Sequence, residues 1–64
     1  MKSTPNRIKA RRQELGLTLR QLASRLGTTK DRVHRIETGA TSLRIDDLAA
    51  WAKALKTTPA ELLP

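Results

Sequence analysis

Cysteine, phenylalanine and tyrosine are absent from the 64 residues, histidine and tryptophan occur once each, and glycine and proline three times each. Without cysteine neither a disulfide framework nor a thiolate metal site can reinforce the fold, and the composition suits a reducing compartment. With Trp51 the sole aromatic, a mechanism that stacks single-stranded bases on a row of rings is disfavoured. The lone His34 has no second metal ligand beside it. The chain also has no glycine-rich phosphate loop and no carboxylate cluster with a base, which argues against an enzyme and leaves no catalytic residue, metal, cofactor or small-molecule substrate expected. No apolar run approaches the roughly 20 residues of a membrane span, and none follows the N-terminus as in a secretion signal. A soluble, cytoplasmic protein is expected, without a membrane partner.

Positive charge, by contrast, is abundant and unevenly placed. The formal charge of +7 divides into +8 over residues 1–35, where ten basic side chains face Glu14 and Asp31, and −1 over residues 36–64. Such asymmetry favours a polyanionic partner, although charge alone speaks to association and not to fold. A chain this short holds one domain and buries only roughly 60% of its unfolded surface, so apolar packing and good capping must carry the fold.

Apolar spacing is helical throughout. Residues 1–5 read as a flexible arm, and residues 6–64 as a single domain. Ile8, Arg12 and Leu15 recur at i, i+4 and i+7, which predicts a helix from Asn6 to Leu15 stopped by Gly16. Arg12 on that stripe requires a carboxylate partner, because an unpaired buried charge costs several kcal/mol, and Glu37 is the candidate. Thr18 with Gln21 forms a capping box ahead of Leu19, Leu22, Ala23 and Leu26, and Gly27 ends this second helix. Thr29 caps a third helix that runs to about Glu37 and closes at Gly39. Helices joined by so tight a turn cross steeply, as in a helix-turn-helix. After a polar loop, Ile45, Leu48, Trp51, Ala52 and Leu55 mark a fourth helix with Asp46 and Asp47 in its first turn and no good cap. Thr58, Pro59 and Glu61 then start a fifth, through Leu63. The fold class is all-α, a compact five-helix bundle containing a helix-turn-helix.

The third helix carries the chemistry. Val33 and Ile36 mark its inner face, and at 100° per residue Asp31 and Arg35 point away, flanked by Thr28, Arg32 and His34, with Lys30 near the rim. The major groove of duplex DNA admits one helix and displays donors and acceptors on the base edges. There Arg35 can bond guanine O6 and N7, Lys30 a guanine or a phosphate, and Asp31 cytosine N4; Thr28, Arg32 and His34 can reach bases or phosphates. The competing account of Asp31 and Arg35 is an i, i+4 ion pair on a solvated helix. Arg11, Arg20 and the start of the second helix at Thr18 are phosphate candidates that position without specifying.

The segments RIKARRQELGLTLRQLASRLGTTKDRVHRIETG and LAAWAKALKTTPAELL resemble, in order and spacing, the lambda-repressor-like, XRE-type helix-turn-helix domains of phage repressors and bacterial regulators. The resemblance implies the five-helix fold of that family and an ion pair between Arg12 and Glu37. It also implies base reading by Thr29, Lys30, Asp31 and Arg35, and a phosphate clamp from Gly39 to Arg44. Two departures stand out. Leu19 replaces the glutamine that many members carry after the second helix's N-cap, and the clamp reads Ala40, Thr41, Ser42, Leu43, which leaves amides, the Thr41 and Ser42 hydroxyls and Arg44 to hold phosphate. The dense capping signals would equally suit a designed sequence.

The function expected is therefore sequence-specific binding of double-stranded DNA through residues Thr29 to Glu37, as in a transcriptional regulator or an engineered DNA-binding module. The protein is expected to be monomeric when free, with pairing of two copies on adjacent half-sites as the route to tighter binding. The rival is an antitoxin-like protein-interaction module on the same fold. It requires an exposed apolar patch, for which Leu19, Leu43, Leu62 and Leu63 are the candidates. RNA fits less well, because the deep, narrow major groove of an A-form helix excludes a helix.

Overall fold

The computed structural model describes residues 3–63; Met1 and Lys2 of the expected arm, and Pro64, lie outside the described residues. Five helices follow one another: α1 (Thr4–Glu14), α2 (Leu19–Leu26), α3 (Lys30–Glu37), α4 (Ile45–Ala54) and α5 (Pro59–Leu62). Their principal packing partners close a ring, α1 on α3, α3 on α2, α2 on α4, α4 on α5 and α5 back on α1. Inside the ring lie Ile8, Leu22, Val33, Ile36, Trp51, Leu55 and Leu62, with Leu15, Leu19, Leu26 and Leu43 packed partly buried around them. Burying each large side chain contributes about 1.5 to 3 kcal/mol. Among the described residues no helix is long and apolar enough to cross a membrane.

Local chemistry explains most element boundaries. Thr18 Oγ1 accepts from the Gln21 amide at 3.1 Å while Gln21 Oε1 accepts from the Thr18 amide at 2.8 Å, a complete capping box. Gly27, at φ 69°, closes α2 in the left-handed conformation, and the Thr28 amide reaches back to the Ala23 carbonyl at 3.0 Å. Thr29 Oγ1 then accepts from the Arg32 amide at 3.2 Å and opens α3.

Two expectations need correction. The first helix begins at Thr4 and not Asn6, so Thr4 and Pro5 belong to α1 and not to a flexible arm. Pro5 sits in the first turn, where its fixed φ suits a helix and its missing N–H would have had no partner anyway. The second concerns Ile45, placed on the buried stripe of α4 but 84% exposed. At 100° per residue Ile45 lies well off the centre defined by Leu48, Trp51, Ala52 and Leu55, and as the first helical residue it stands at the edge of the packed stripe.

The expected Arg12–Glu37 pair is present and buried. Arg12 Nε and Nη2 donate to the two Glu37 carboxylate oxygens at 2.7 and 3.1 Å, and Nη1 donates to the Leu17 carbonyl at 2.8 Å. The side chains are only 11% and 4% exposed. Arg12→Ala strands the Glu37 carboxylate and should cost about 3 to 5 kcal/mol. That is a large part of the roughly 3 to 10 kcal/mol expected for a domain this size. Urea unfolding checks it, with replacement of both residues by methionine expected to cost clearly less. An unchanged midpoint in Arg12→Ala would refute the energetic role.

Lys56 follows α4 at φ 54°, a left-handed conformation that a side chain disfavours. Its amide donates to the Lys53 carbonyl at 3.1 Å, and the Thr57 amide donates to the Ala52 carbonyl at 2.9 Å. Lys56→Gly keeps both bonds and removes the steric cost, so the unfolding free energy should rise by about 0.5 to 1 kcal/mol. A decrease would show that the Lys56 side chain contributes more than its backbone costs.

Candidate nucleic-acid interface

The short connection between α2 and α3 leaves one face of α3 in solvent. Only the three residues Gly27, Thr28 and Thr29 separate the two helices, while Val33, Ile36 and Glu37 hold α3 from behind. Lys30, Asp31, Arg32, His34 and Arg35 are all exposed; Thr28 is half-buried, and Thr29 is exposed but holds its hydroxyl oxygen against the Arg32 amide. No ion pair forms between Asp31 and Arg35 among the described residues, so the solvated-pair account of these two is not realised. The outer face is therefore a polar strip on which Lys30, Asp31, His34 and Arg35 have no side-chain partner among the described residues.

Around this strip the predicted phosphate contacts fall into different situations. Arg20 is exposed at the start of α2, next to the exposed Thr18 whose oxygen already caps the helix. Leu19, at the position of the family's glutamine, is half-buried against the core and offers no polar contact. In the loop after α3, Gly39 at φ 82° turns the chain, and the Thr41 amide donates to the Arg35 carbonyl at 3.2 Å. The Thr41 amide is thus committed to closing α3, as is the Thr38 hydroxyl, which donates to the same carbonyl at 3.2 Å. Exposed Ser42 and Arg44, and the amides of Ser42 and Leu43, carry no such bond among the described residues and remain able to meet an anion.

Arg11, expected at a phosphate, has its donors engaged within the fold. Its Nε donates to the Leu55 carbonyl at 2.9 Å, its Nη2 to the Lys56 carbonyl at 3.0 Å and its Nη1 to Glu14 at 3.1 Å. Arg25 adds a bond from Nη1 to the Ala54 carbonyl at 3.4 Å. Three successive carbonyls at the end of α4, which no intrahelical amide can satisfy, thus accept from two guanidinium groups, at the helix end where the macrodipole favours cations. Arg11 therefore caps the end of α4. The capping role of Arg25 was missed altogether; a basic residue in the last turn of α2 was the only available signal, and it did not identify α4 as the recipient.

Two cations bordering the strip have acidic neighbours. Arg32 Nη2 lies 3.6 Å from Asp47 Oδ2, and Arg44 Nη2 lies 3.8 Å from Asp46 Oδ2, all four side chains being substantially exposed. Around the loop that follows α3, Pro5, Ile36, Leu43, Ile45, Leu48 and Leu63 line a mainly apolar hollow of about 220 Å³. Leu62 is buried, which removes it from the apolar residues available for a protein partner; among the described residues the exposed large hydrophobics are Ile45 and Leu63.

Comparison with known proteins agrees with this geometry. A family model described as a helix-turn-helix domain matches residues 6–63. No curated protein sequence matches the chain. Among solved structures, the P22 c2 repressor in complex with a synthetic operator superposes with a TM-score of 0.89 at 28% identity, covering 98% of this chain and 96% of that one. SinR, a master regulator of biofilm formation solved in complex with DNA, gives 0.86 at 29% identity over 95% of this chain and 98% of its own. Apo-HppE gives 0.87 at 31% identity, but the chain spans only 34% of that protein's length.

The two possible roles of Arg11 separate by experiment. Arg11→Ala should lower stability by about 1 to 2 kcal/mol, a fall of several degrees in Tm, because charged bonds to the α4 carbonyls are lost from a partly exposed site. The salt dependence of duplex binding should stay as in the parent. A preserved Tm with a shallower salt dependence would return Arg11 to the phosphates.

Proposed function

Since the chain belongs to the helix-turn-helix domain family, we propose that it binds double-stranded DNA sequence-specifically, as the DNA-binding unit of a transcriptional regulator, by laying α3 in the major groove. The observation that carries this reading is the outer face of α3. Lys30, Asp31, His34 and Arg35 are exposed, and their side chains form no ion pair or hydrogen bond with another described residue. The P22 c2 repressor and SinR, similar over nearly their whole solved chains, were both crystallised on DNA, which supports the same partner for this one.

In this reading α1 to α5 act as one unit. Arg35 donates twice to guanine O6 and N7, Lys30 reaches a guanine or an adjacent phosphate, and Asp31 accepts from cytosine N4 while penalising bases that cannot donate to it. Thr29 completes the base-reading set at the helix start, and Thr28 and His34 lie where bases or backbone can be met. Arg20, the amides opening α2, and the Ser42 to Arg44 loop hold phosphates and so set the approach of α3 without reading sequence. One such domain covers roughly 600 to 1,000 Å² of protein surface, so two copies on adjacent half-sites provide the tighter complex. A protein-interaction role would need a contiguous apolar surface, and among the described residues the exposed large hydrophobics are Ile45 and Leu63.

Selection from a random duplex library, with affinities for the winner and a scrambled duplex compared at two salt concentrations, tests the proposal. A short enriched motif is expected. Against that motif Arg35→Ala should lose about 1 to 3 kcal/mol and relax preference at one base pair. Equal loss on every duplex would make Arg35 a phosphate contact, and uniform, salt-labile binding by the parent protein would leave only the electrostatic attraction and defeat sequence reading.

A further inference from the structure

The acidic first turn of α4 has a structural role of its own: Asp46 and Asp47 stand at the helix N-terminus, where the macrodipole favours carboxylates. The helix therefore holds them in place whether or not a cation approaches. Arg32, by contrast, extends on a flexible stem from the flank of α3 that faces α4, and its guanidinium rests 3.6 Å from Asp47 Oδ2. At that distance the contact is a Coulombic attraction shared with water, with the two side chains 44% and 43% exposed. Such a pair is strong enough to bias where the guanidinium points and weak enough to yield to a better anion.

We propose that Asp47 is a positioning residue for DNA specificity: by holding Arg32 against the first turn of α4, it withholds one cation of the recognition helix from the phosphates. The proposal rests on the DNA-binding reading above and adds a selectivity device to it. Binding to an arbitrary duplex comes almost entirely from phosphate neutralisation and samples many registers, so any released cation strengthens it. The cognate complex is confined to one register by the contacts of α3 with the bases, so it gains less from the same cation. Asp47 thus weakens the general term more than the specific one. The longer, more exposed Arg44–Asp46 contact at 3.8 Å repeats the arrangement on the loop side in a looser form.

The test compares the parent chain, Asp47→Asn, Asp47→Glu, Arg32→Gln and the Asp47→Asn/Arg32→Gln double variant. Each is checked for an unchanged helical spectrum, then titrated with a selected duplex and a scrambled duplex across a salt series. Asp47→Asn should bind the scrambled duplex about two- to five-fold more tightly, the range spanned by an exposed ion pair. Its log K against log salt should steepen by about 0.9, one further phosphate, and the ratio of cognate to scrambled affinity should fall. Asp47→Glu should keep the parental slope, and the gain should vanish when Arg32 is already glutamine. An unchanged slope in Asp47→Asn, or the same gain without Arg32, overturns the proposal while leaving sequence-specific binding intact. Failure of the parent chain to prefer any duplex overturns both.

Discussion

The buried pairing of Arg12 with Glu37 is the contact on which the placement of α3 depends. Glu37 is the last residue of α3, an end where the macrodipole disfavours a carboxylate, and it is almost fully out of solvent. Arg12 supplies a planar, two-point partner from α1, and its remaining contact, to the Leu17 carbonyl, fixes the segment that enters α2. One guanidinium therefore joins the end of α3, the end of α1 and the approach to α2. Such pairs contribute little net stability compared with well-packed apolar residues, and half of one is severely destabilising. What this one provides is direction. The contact ties the three segments together in the arrangement that turns the polar face of α3 outward.

The same chemistry, arginine against an oxygen that has no other donor, recurs elsewhere in the domain. Arg11 and Arg25 cover the carbonyls at the end of α4, and Arg7 Nη1 donates to the Glu61 carbonyl of α5 at 3.3 Å. A chain with so small a core has few apolar contacts to set the angles between helices, and long cationic side chains that reach from one helix to the carbonyl end of another do part of that work. The +8 of residues 1–35 consequently overstates the charge offered to a polyanion. Arg7, Arg11, Arg12 and Arg25 bond to the fold itself, and the cations exposed around the α2–α3 face reduce chiefly to Arg20, Lys30, Arg32 and Arg35.

What could be read beforehand follows the same division between local and distant chemistry. The caps at Thr18, Thr29 and Thr58 were legible because donor and acceptor lie within three residues of each other. The partner of Arg12 was legible because a charge on an apolar stripe demands a counter-charge, and Glu37 sits beside the buried face of α3. The outer face of α3 was legible from periodicity alone. The helix start at Thr4 was not, because the apolar stripe begins only at Ile8 and nothing apolar marks the turn before it, although Pro5 suits a first turn. Nor were the roles of Arg11 and Arg25, whose acceptors are backbone oxygens 29 to 45 residues away that no residue type announces. The Arg32–Asp47 contact was hidden for a similar reason: each member had a sufficient local account, one as a groove-facing cation and the other as a helix-start anion.

Restraint in free charge has a consequence for recognition. The attraction to phosphates grows with every uncommitted cation and is the same on every duplex, whereas discrimination comes from a handful of side chains that find or fail to find base edges. A domain that directed all thirteen of its lysines and arginines outward would hold arbitrary DNA tightly and distinguish little. Here several arginines are bound to carbonyls, one is buried against Glu37, and others are shadowed by the aspartates of α4, while Lys30 and Arg35 stand free on a helix fixed from behind. In the proposed DNA-binding reading, the interactions that give a short chain its shape are thereby also those that keep its general affinity for DNA low enough for α3 to select among sequences.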